Sequence, residues 1–143
     1  MLDRIAKFVG DVLTGKHPRS ASRSTGERFR LDYEWVRERF HIRALDRSGT
    51  HIDLSCDEAT ALLTLLARHR EGSWGRNALK NGFNERIGKW RWLRHRVRDN
   101  AYVLQGPREP DGYVPEIKLT AKEADVLIVE LAARLHRLST INA

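Results

Sequence analysis

The chain has 143 residues, of which 41% are hydrophobic and 31% charged. One domain of this length buries roughly two-thirds of the surface exposed by its unfolded chain, so a hydrophobic core is expected and global disorder is excluded. The balance of 26 Lys and Arg against 19 Asp and Glu, a formal charge of +7, directs attention to polyanionic partners such as nucleic acid, acidic proteins or anionic lipid. Apolar runs stay at a few residues, far below the about 20 of a bilayer span, and charged residues interrupt the first positions. Neither a membrane segment nor a secretory leader is expected. The single Cys56 excludes an internal disulfide and fits a reducing, cytoplasmic setting.

In chain order, Leu2, Ile5, Phe8, Val9, Val12 and Leu13 form one helical stripe, and Gly15 supplies a stop. Residues 1–15 are therefore expected to be an amphipathic helix that packs on its own domain or on a second copy. Residues 16–26 hold Ser, Gly and Pro, several positive charges and no acid, which predicts a flexible basic linker. From residue 27 to 143 the pattern predicts a single α+β domain.

An internal similarity organises that domain. Residues 52–70, IDLSCDEATALLTLLARHR, align at an offset of 65 with residues 117–135, IKLTAKEADVLIVELAARL. Each reads as a short alternating strand running into a helix. Ser55-x-x-Glu58 and Thr120-x-x-Glu123 are both capping boxes, in which the hydroxyl accepts from a free helix N–H and the Glu reaches back to the cap's own N–H. Asp46-Arg47-Ser48-Gly49 and Glu109-Pro110-Asp111-Gly112 read as hairpin turns before each copy. Phe29, Leu31 and Tyr33 alternate, so residues 28–36 suit a first strand. The segment Trp35–Phe40 parallels Trp92–Val97. Two pseudo-repeats follow, 27–71 and 77–140. The expected core includes Ile52, Leu54, Leu62, Leu66, Ile117, Leu119, Leu127 and Leu131. Between the halves, Phe83, Ile87, Trp90, Leu93 and Val97 fit a helical stripe, predicting a basic central helix to about residue 97; an alternating strand over 89–95 is the other reading.

A unit of helix, three strands and helix resembles the double-stranded-RNA-binding fold in topology. Members of that family grip phosphate with a Lys-rich tract at the start of the last helix. Here those positions read Ser55-Cys56-Asp57-Glu58-Ala59 and Thr120-Ala121-Lys122-Glu123-Ala124, so the resemblance implies no double-stranded RNA binding. The passage of Ile52–Arg70 from strand to helix also resembles the first half of a ribbon-helix-helix, with residues 77–97 as its second helix.

The chemistry of catalysis is sparse. The six histidines are scattered; His51 and Asp53 share a strand face, but zinc sites usually take three or four ligands. Cys56 has no His partner, and phosphate-loop and dinucleotide fingerprints are missing. Pro110-Asp111 followed by Glu116-Ile117-Lys118 resembles the signature of restriction-type nucleases. An extended chain, however, separates that Asp from that Glu by roughly 16 Å. No enzymatic activity, cofactor or metal is expected.

The strongest functional pattern is basic and aromatic. Arg86, Lys89, Arg91, Arg94, Arg96 and Arg98 lie within 13 residues, interleaved by Trp90, Trp92 and His95. Guanidinium groups fit phosphates bidentately, and an indole can stack on an exposed base. The expectation is a non-enzymatic nucleic-acid-binding protein, for DNA or RNA, that uses Arg86, Lys89, Arg91, Trp92, Arg94, Arg96 and Arg98, with Arg19 and Arg23 as auxiliaries. The alternative is a small inhibitor or adaptor, for example a phage or mobile-element anti-defence protein, that docks on an acidic protein of a larger nucleic-acid-handling complex. A homodimer is compatible with either.

Overall fold

The computed structural model describes residues 28–71 and 82–141. The expected helix over 1–15 and linker over 16–26, with Arg19 and Arg23, lie outside the described residues. In the first half, Phe29 and Leu31 point inward while Arg30 and Asp32 point out, forming β1 (Phe29–Glu34). The same alternation continues in β2 (Arg39–Ala44) and β3 (His51–Ser55), and the three pair as an antiparallel meander. Asp46 closes the β2–β3 turn, its backbone carbonyl accepting from Gly49 N–H at 3.3 Å. Helix α1 (Cys56–Arg70) follows directly. The second half is a four-stranded antiparallel meander of β4 (Phe83–Gly88), β5 (Arg91–Arg96), β6 (Ala101–Gln105) and β7 (Glu116–Thr120), again running into a helix, α2 (Ala121–Ile141).

Registers in the two sheets run in parallel. In the first, Leu31 lies opposite Ile42 and Ile42 opposite Ile52. In the second, Leu93 lies opposite Leu104 and Leu104 opposite Ile117. Aligned on these rows, Leu31 falls at the place of Leu93 and Trp35 at that of Val97. The expected parallel between Trp35–Phe40 and Trp92–Val97 is five residues out, because Trp35 begins a turn while Trp92 lies inside β5.

The expected basic central helix is replaced by the β4–β5 hairpin. The helical stripe is coincidental: Ile87 and Leu93 are buried, but Trp90 and Val97 are exposed turn residues. Glu85 is exposed between Phe83 and Ile87, so the two-residue apolar alternation that would have marked β4 as a strand is missing. The ribbon-helix-helix arrangement falls with that helix.

Both capping boxes form. Ser55 Oγ accepts from Glu58 N–H at 3.1 Å and Glu58 Oε1 from Ser55 N–H at 2.8 Å. Thr120 Oγ1 accepts from Glu123 N–H at 3.1 Å and Glu123 Oε1 from Thr120 N–H at 3.0 Å. Each Glu also reaches beyond its own helix. Glu123 Oε2 accepts from the backbone N–H of Arg28, at the entry to β1, while Glu58 Oε2 receives Arg91 Nη1, at the start of β5. Each half is thus tied to the helix start of the other.

The helices pack on one another and on the strands leading into them, and α1 also lies against β4. Arg70 of α1 donates twice to Asp125 of α2, Nε to Oδ1 at 2.6 Å and Nη2 to Oδ2 at 3.0 Å. One cluster of buried side chains spans both halves and contains all eight expected core residues. Both sheets thereby turn their inner faces to this core, and the outer face of the second sheet is set apart from it.

Candidate nucleic-acid interface

Opposed residues of an antiparallel ladder share a face, so the register defines the outer face of the second sheet row by row. The first row is Arg86, Trp92, Gln105 and Glu116; the second is Asn84, Arg94, Val103 and Lys118; the third is Arg96, Ala101 and Thr120. Inward-pointing Leu93 and His95 alternate with them on β5. Val103 and Ala101 face outward yet are buried, and Nε of both Arg94 and Arg96 is buried without a partner. Both arginines therefore lie along the sheet with their stems against it and their terminal nitrogens outward.

Two carboxylates share this face with the cations Arg86, Arg94, Arg96 and Lys118. Glu116 Oε2 lies 3.3 Å from Arg94 Nη2, and Asp99 Oδ2 lies 2.9 Å from Arg96 Nη2 and 2.7 Å from Lys118 Nζ. The hydrogen bond from Lys118, with the nearby Arg96 charge, holds the Asp99 carboxyl below its ordinary pKa. These are exposed, solvent-screened pairs that contribute little, so a phosphate can replace either carboxylate.

Two sequence-predicted residues sit around the rim. Lys89 occupies the β4–β5 turn and Arg98 the β5–β6 turn, both exposed. Arg86 donates Nε to Gly88 O at 3.0 Å and meets no carboxylate among the described residues.

Arg91 does not belong to the face. It points the opposite way from Trp92, toward β3 and the start of α1. Its Nε donates to the Asp53 carbonyl at 2.5 Å, Nη2 to Asp53 Oδ1 at 2.9 Å, and Nη1 to Lys89 O at 2.9 Å, with Glu58 Oε2 at 3.5 Å. Arg39 Nε meets the other oxygen of Asp53 at 2.5 Å. Burial pushes the Asp53 carboxyl up, but hydrogen bonds and charge from Arg91 and Arg39 outweigh it and hold the pKa below the ordinary value. This network joins the two halves and leaves no free guanidinium for a ligand.

At the first-row end of the sheet lies a groove of about 490 Å³, lined by Trp90, Trp92, Gln105, Pro107, Arg108 and Val114 among others. Trp90 sits in the β4–β5 turn at φ 62° and is 65% exposed. The sequence shows Trp90 interleaving the basic run but does not connect Arg108 with it. Arg108 lies 18 positions from Trp90 and 16 from Trp92, in the β6–β7 loop, and only the β5–β6 pairing brings it beside them.

The nuclease-like residues do not form one site. Asp111 Oδ1 accepts from Tyr113 N–H at 2.9 Å, Glu116 pairs with Arg94, and Lys118 with Asp99. Among the described residues no group of three or more His, Cys, Asp or Glu is placed to hold a metal ion. His41 Nδ1 and His51 Nε2 lie 2.6 Å apart on the outer face of the first sheet, and His41 Nε2 meets Glu34 at 2.9 Å; Asp53 is held by Arg39 and Arg91 instead of joining them. No helix of the described residues is long and apolar enough to cross a membrane. No protein-family profile matches the chain, and no curated protein sequence matches it significantly.

Proposed function

We propose that the chain is a non-enzymatic nucleic-acid-binding protein that takes phosphates along the outer face of its second sheet. The observation that carries this reading is the register, which aligns Arg86, Arg94, Arg96 and Lys118 around Trp92 on one side of one sheet. Lys89 and Arg98 extend the positive rim. Arg91 is excluded because its guanidinium is held by Asp53 and Glu58. A flat array of cations with one aromatic suits a sequence-tolerant grip on backbone, since base-specific reading needs donors and acceptors aimed at base edges. The matched registers and capping boxes further support reading the two halves as duplicates, with only the second carrying the binding face.

Fluorescence anisotropy on labelled single- and double-stranded DNA and RNA over a salt series tests the proposal. With about four phosphates neutralised, log affinity falls with log salt at a slope of roughly −3 to −4. Replacing Arg94, Arg96 and Arg98 with Ala flattens the slope by about one unit for each phosphate that is no longer neutralised. Failure to bind any of these probes at low salt would sink the reading.

A second reading, docking on an acidic protein, draws on a different surface. At the β1–β2 turn Trp35 and Val36 are exposed, the latter 93%, and Trp35 stacks on Tyr33 with ring centroids 5.1 Å apart. A rigid exposed aromatic is a common anchor of protein interfaces. Co-purification with an acidic protein after nuclease treatment, lost on Trp35→Ala, would favour it.

A further inference from the structure

We infer that the groove walled by Trp90 and Trp92 seats an unpaired nucleobase, so that the protein selects single-stranded over duplex nucleic acid. The inference rests on the phosphate-binding reading of the adjoining sheet face and adds the feature that face lacks, a place for a base.

Four observations converge on it. First, the groove is built from two elements that the sheet register locks together: Trp92 lies opposite Gln105, and Gly106, Pro107 and Arg108 continue from Gln105 into the loop. Its volume of about 490 Å³ falls within the usual range of sites for small organic groups. Second, its apolar surface is aromatic and flat. Trp90 is 65% and Trp92 37% exposed, so each ring leaves a face on which a base can stack.

Third, Trp90 occupies a left-handed backbone position, φ 62°, in a tight hairpin turn where Gly or Asn is normally found. Its large side chain is mostly solvated, so core packing does not explain its presence in a strained conformation. Fourth, charge complementarity names the occupant. Arg108 lines the groove, Lys89 precedes Trp90, and Arg86 stands opposite Trp92; none of the three meets a carboxylate among the described residues. Cations bracket the aromatic groove on both sides, which suits a base with a phosphate before and after it. In a duplex the faces of the bases are covered by their neighbours, so only an unpaired strand can fill the groove.

The test uses the full chain and three fluorescein-labelled probes: a dT 12-mer, a 12-mer of abasic deoxyribose phosphates, and a 12-base-pair duplex. The wild-type protein is expected to hold the dT 12-mer about tenfold or more tighter than either the abasic strand or the duplex, with quenching of indole emission only by the dT 12-mer; equal affinity for the duplex would overturn the inference. Trp90→Gly is the key variant, because Gly accepts a positive φ and the hairpin is relieved of strain. Its melting temperature should be equal or higher, its affinity for dT should fall by about tenfold, and its affinity for the abasic strand should be unchanged. Trp92→Ala should show the same selective loss.

Equal binding of dT and abasic strands by the wild type would overturn the groove while leaving the phosphate face intact. Failure to bind either would remove both. Unchanged dT binding by Trp90→Gly would likewise overturn it. Displacement of dT by a glutamate-rich peptide from the wild type, but not from Trp90→Gly, would assign the groove to a protein chain instead.

Discussion

The carboxylate of Glu58 occupies the space that any side chain at residue 88 would need: a Cβ built on Gly88 would lie 2.6 Å from Glu58 Cδ. Glu58 is almost fully buried and cannot swing aside freely. It receives the Ser55 N–H and lies 3.5 Å from both Arg39 Nη2 and Arg91 Nη1. Gly88→Ala therefore forces the Glu58 side chain out of the capping box and out of the ion network. The expected cost is about 1–3 kcal/mol, the range for overpacking a well-filled site. In a Glu58→Ala background the same substitution should cost much less, and urea denaturation of the four proteins gives the coupling. Additive effects would show that the two residues do not compete for this space.

The same residues show what was legible in the chain and what was not. The capping boxes and the Asp46–Gly49 and Glu109–Gly112 turns depend on neighbours a few positions apart, so residue types at short spacing suffice to predict them. The core residues of β3, β7 and both helices are legible because their periods of two and 3.6 are regular. The β4–β5 hairpin is hidden: its turn is Lys89-Trp90, with no Gly or Asn at the left-handed position, and the exposed turn residues Trp90 and Val97 complete a helical spacing with Phe83, Ile87 and Leu93. Arg91 looks like its basic neighbours because the groups that bind it, Asp53 and Glu58, lie 38 and 33 residues earlier. Alternation puts it on the inner side, but only strand pairing shows which acids wait there.

That assignment of Arg91 makes a separable prediction. Arg91→Ala removes the cation from Asp53 and Glu58 and leaves the Asp53 and Lys89 carbonyls each short of a donor. Breaking a largely buried ion network from one side costs up to about 3–5 kcal/mol; with Arg39 still beside Asp53, about 2–3 kcal/mol is expected. The salt slope of nucleic-acid binding, measured well below the melting temperature, should stay that of the wild type. A flattened slope with unchanged stability would return Arg91 to the interface.

His69 sets a pH limit on the fold. It is buried at the end of α1, its Nδ1 2.5 Å from Tyr102 Oη and its ring centroid 4.2 Å from that of His95. Nε2 has no partner. Burial, reinforced by the charges of His95 and Arg70, lowers its pKa to about 4 from the ordinary 6.5. Between these values the unfolded chain binds more protons than the folded one, so stability rises with pH across this window. It is fully present above about 6.5 and is lost as pH falls toward 4, by at most about 3 kcal/mol. Other groups titrate in the same window, so the check is a difference. Urea midpoints from pH 4 to 7 should vary more steeply in the wild type than in His69→Phe, and equal slopes would mean that His69 contributes nothing to acid sensitivity.

The two carboxylates on the proposed binding face should act as brakes on it. Glu116 lies in the first row beside Trp92 and Gln105, and its Oε2 meets Arg94 Nη2 at 3.3 Å; Asp99 holds Arg96 and Lys118 together. A phosphate that takes Arg94 must displace Glu116 and then sit near its negative charge. Glu116→Gln keeps the shape and a hydrogen-bonding oxygen but removes the charge, so Arg94 is released and the repulsion disappears. For an exposed pair, where the effective dielectric constant approaches that of water, removing a like charge several ångströms from a phosphate amounts to about 1 kcal/mol, or severalfold in affinity. Asp99→Asn should act the same way through Arg96 and Lys118, and the two effects should be nearly additive because they release different cations. Stability should change little, since exposed pairs contribute little. Anisotropy titrations with the dT 12-mer at low salt would show tighter binding for each variant, with the gain shrinking as salt screens the charge. Weaker or unchanged binding in both variants would place the phosphates elsewhere on the molecule.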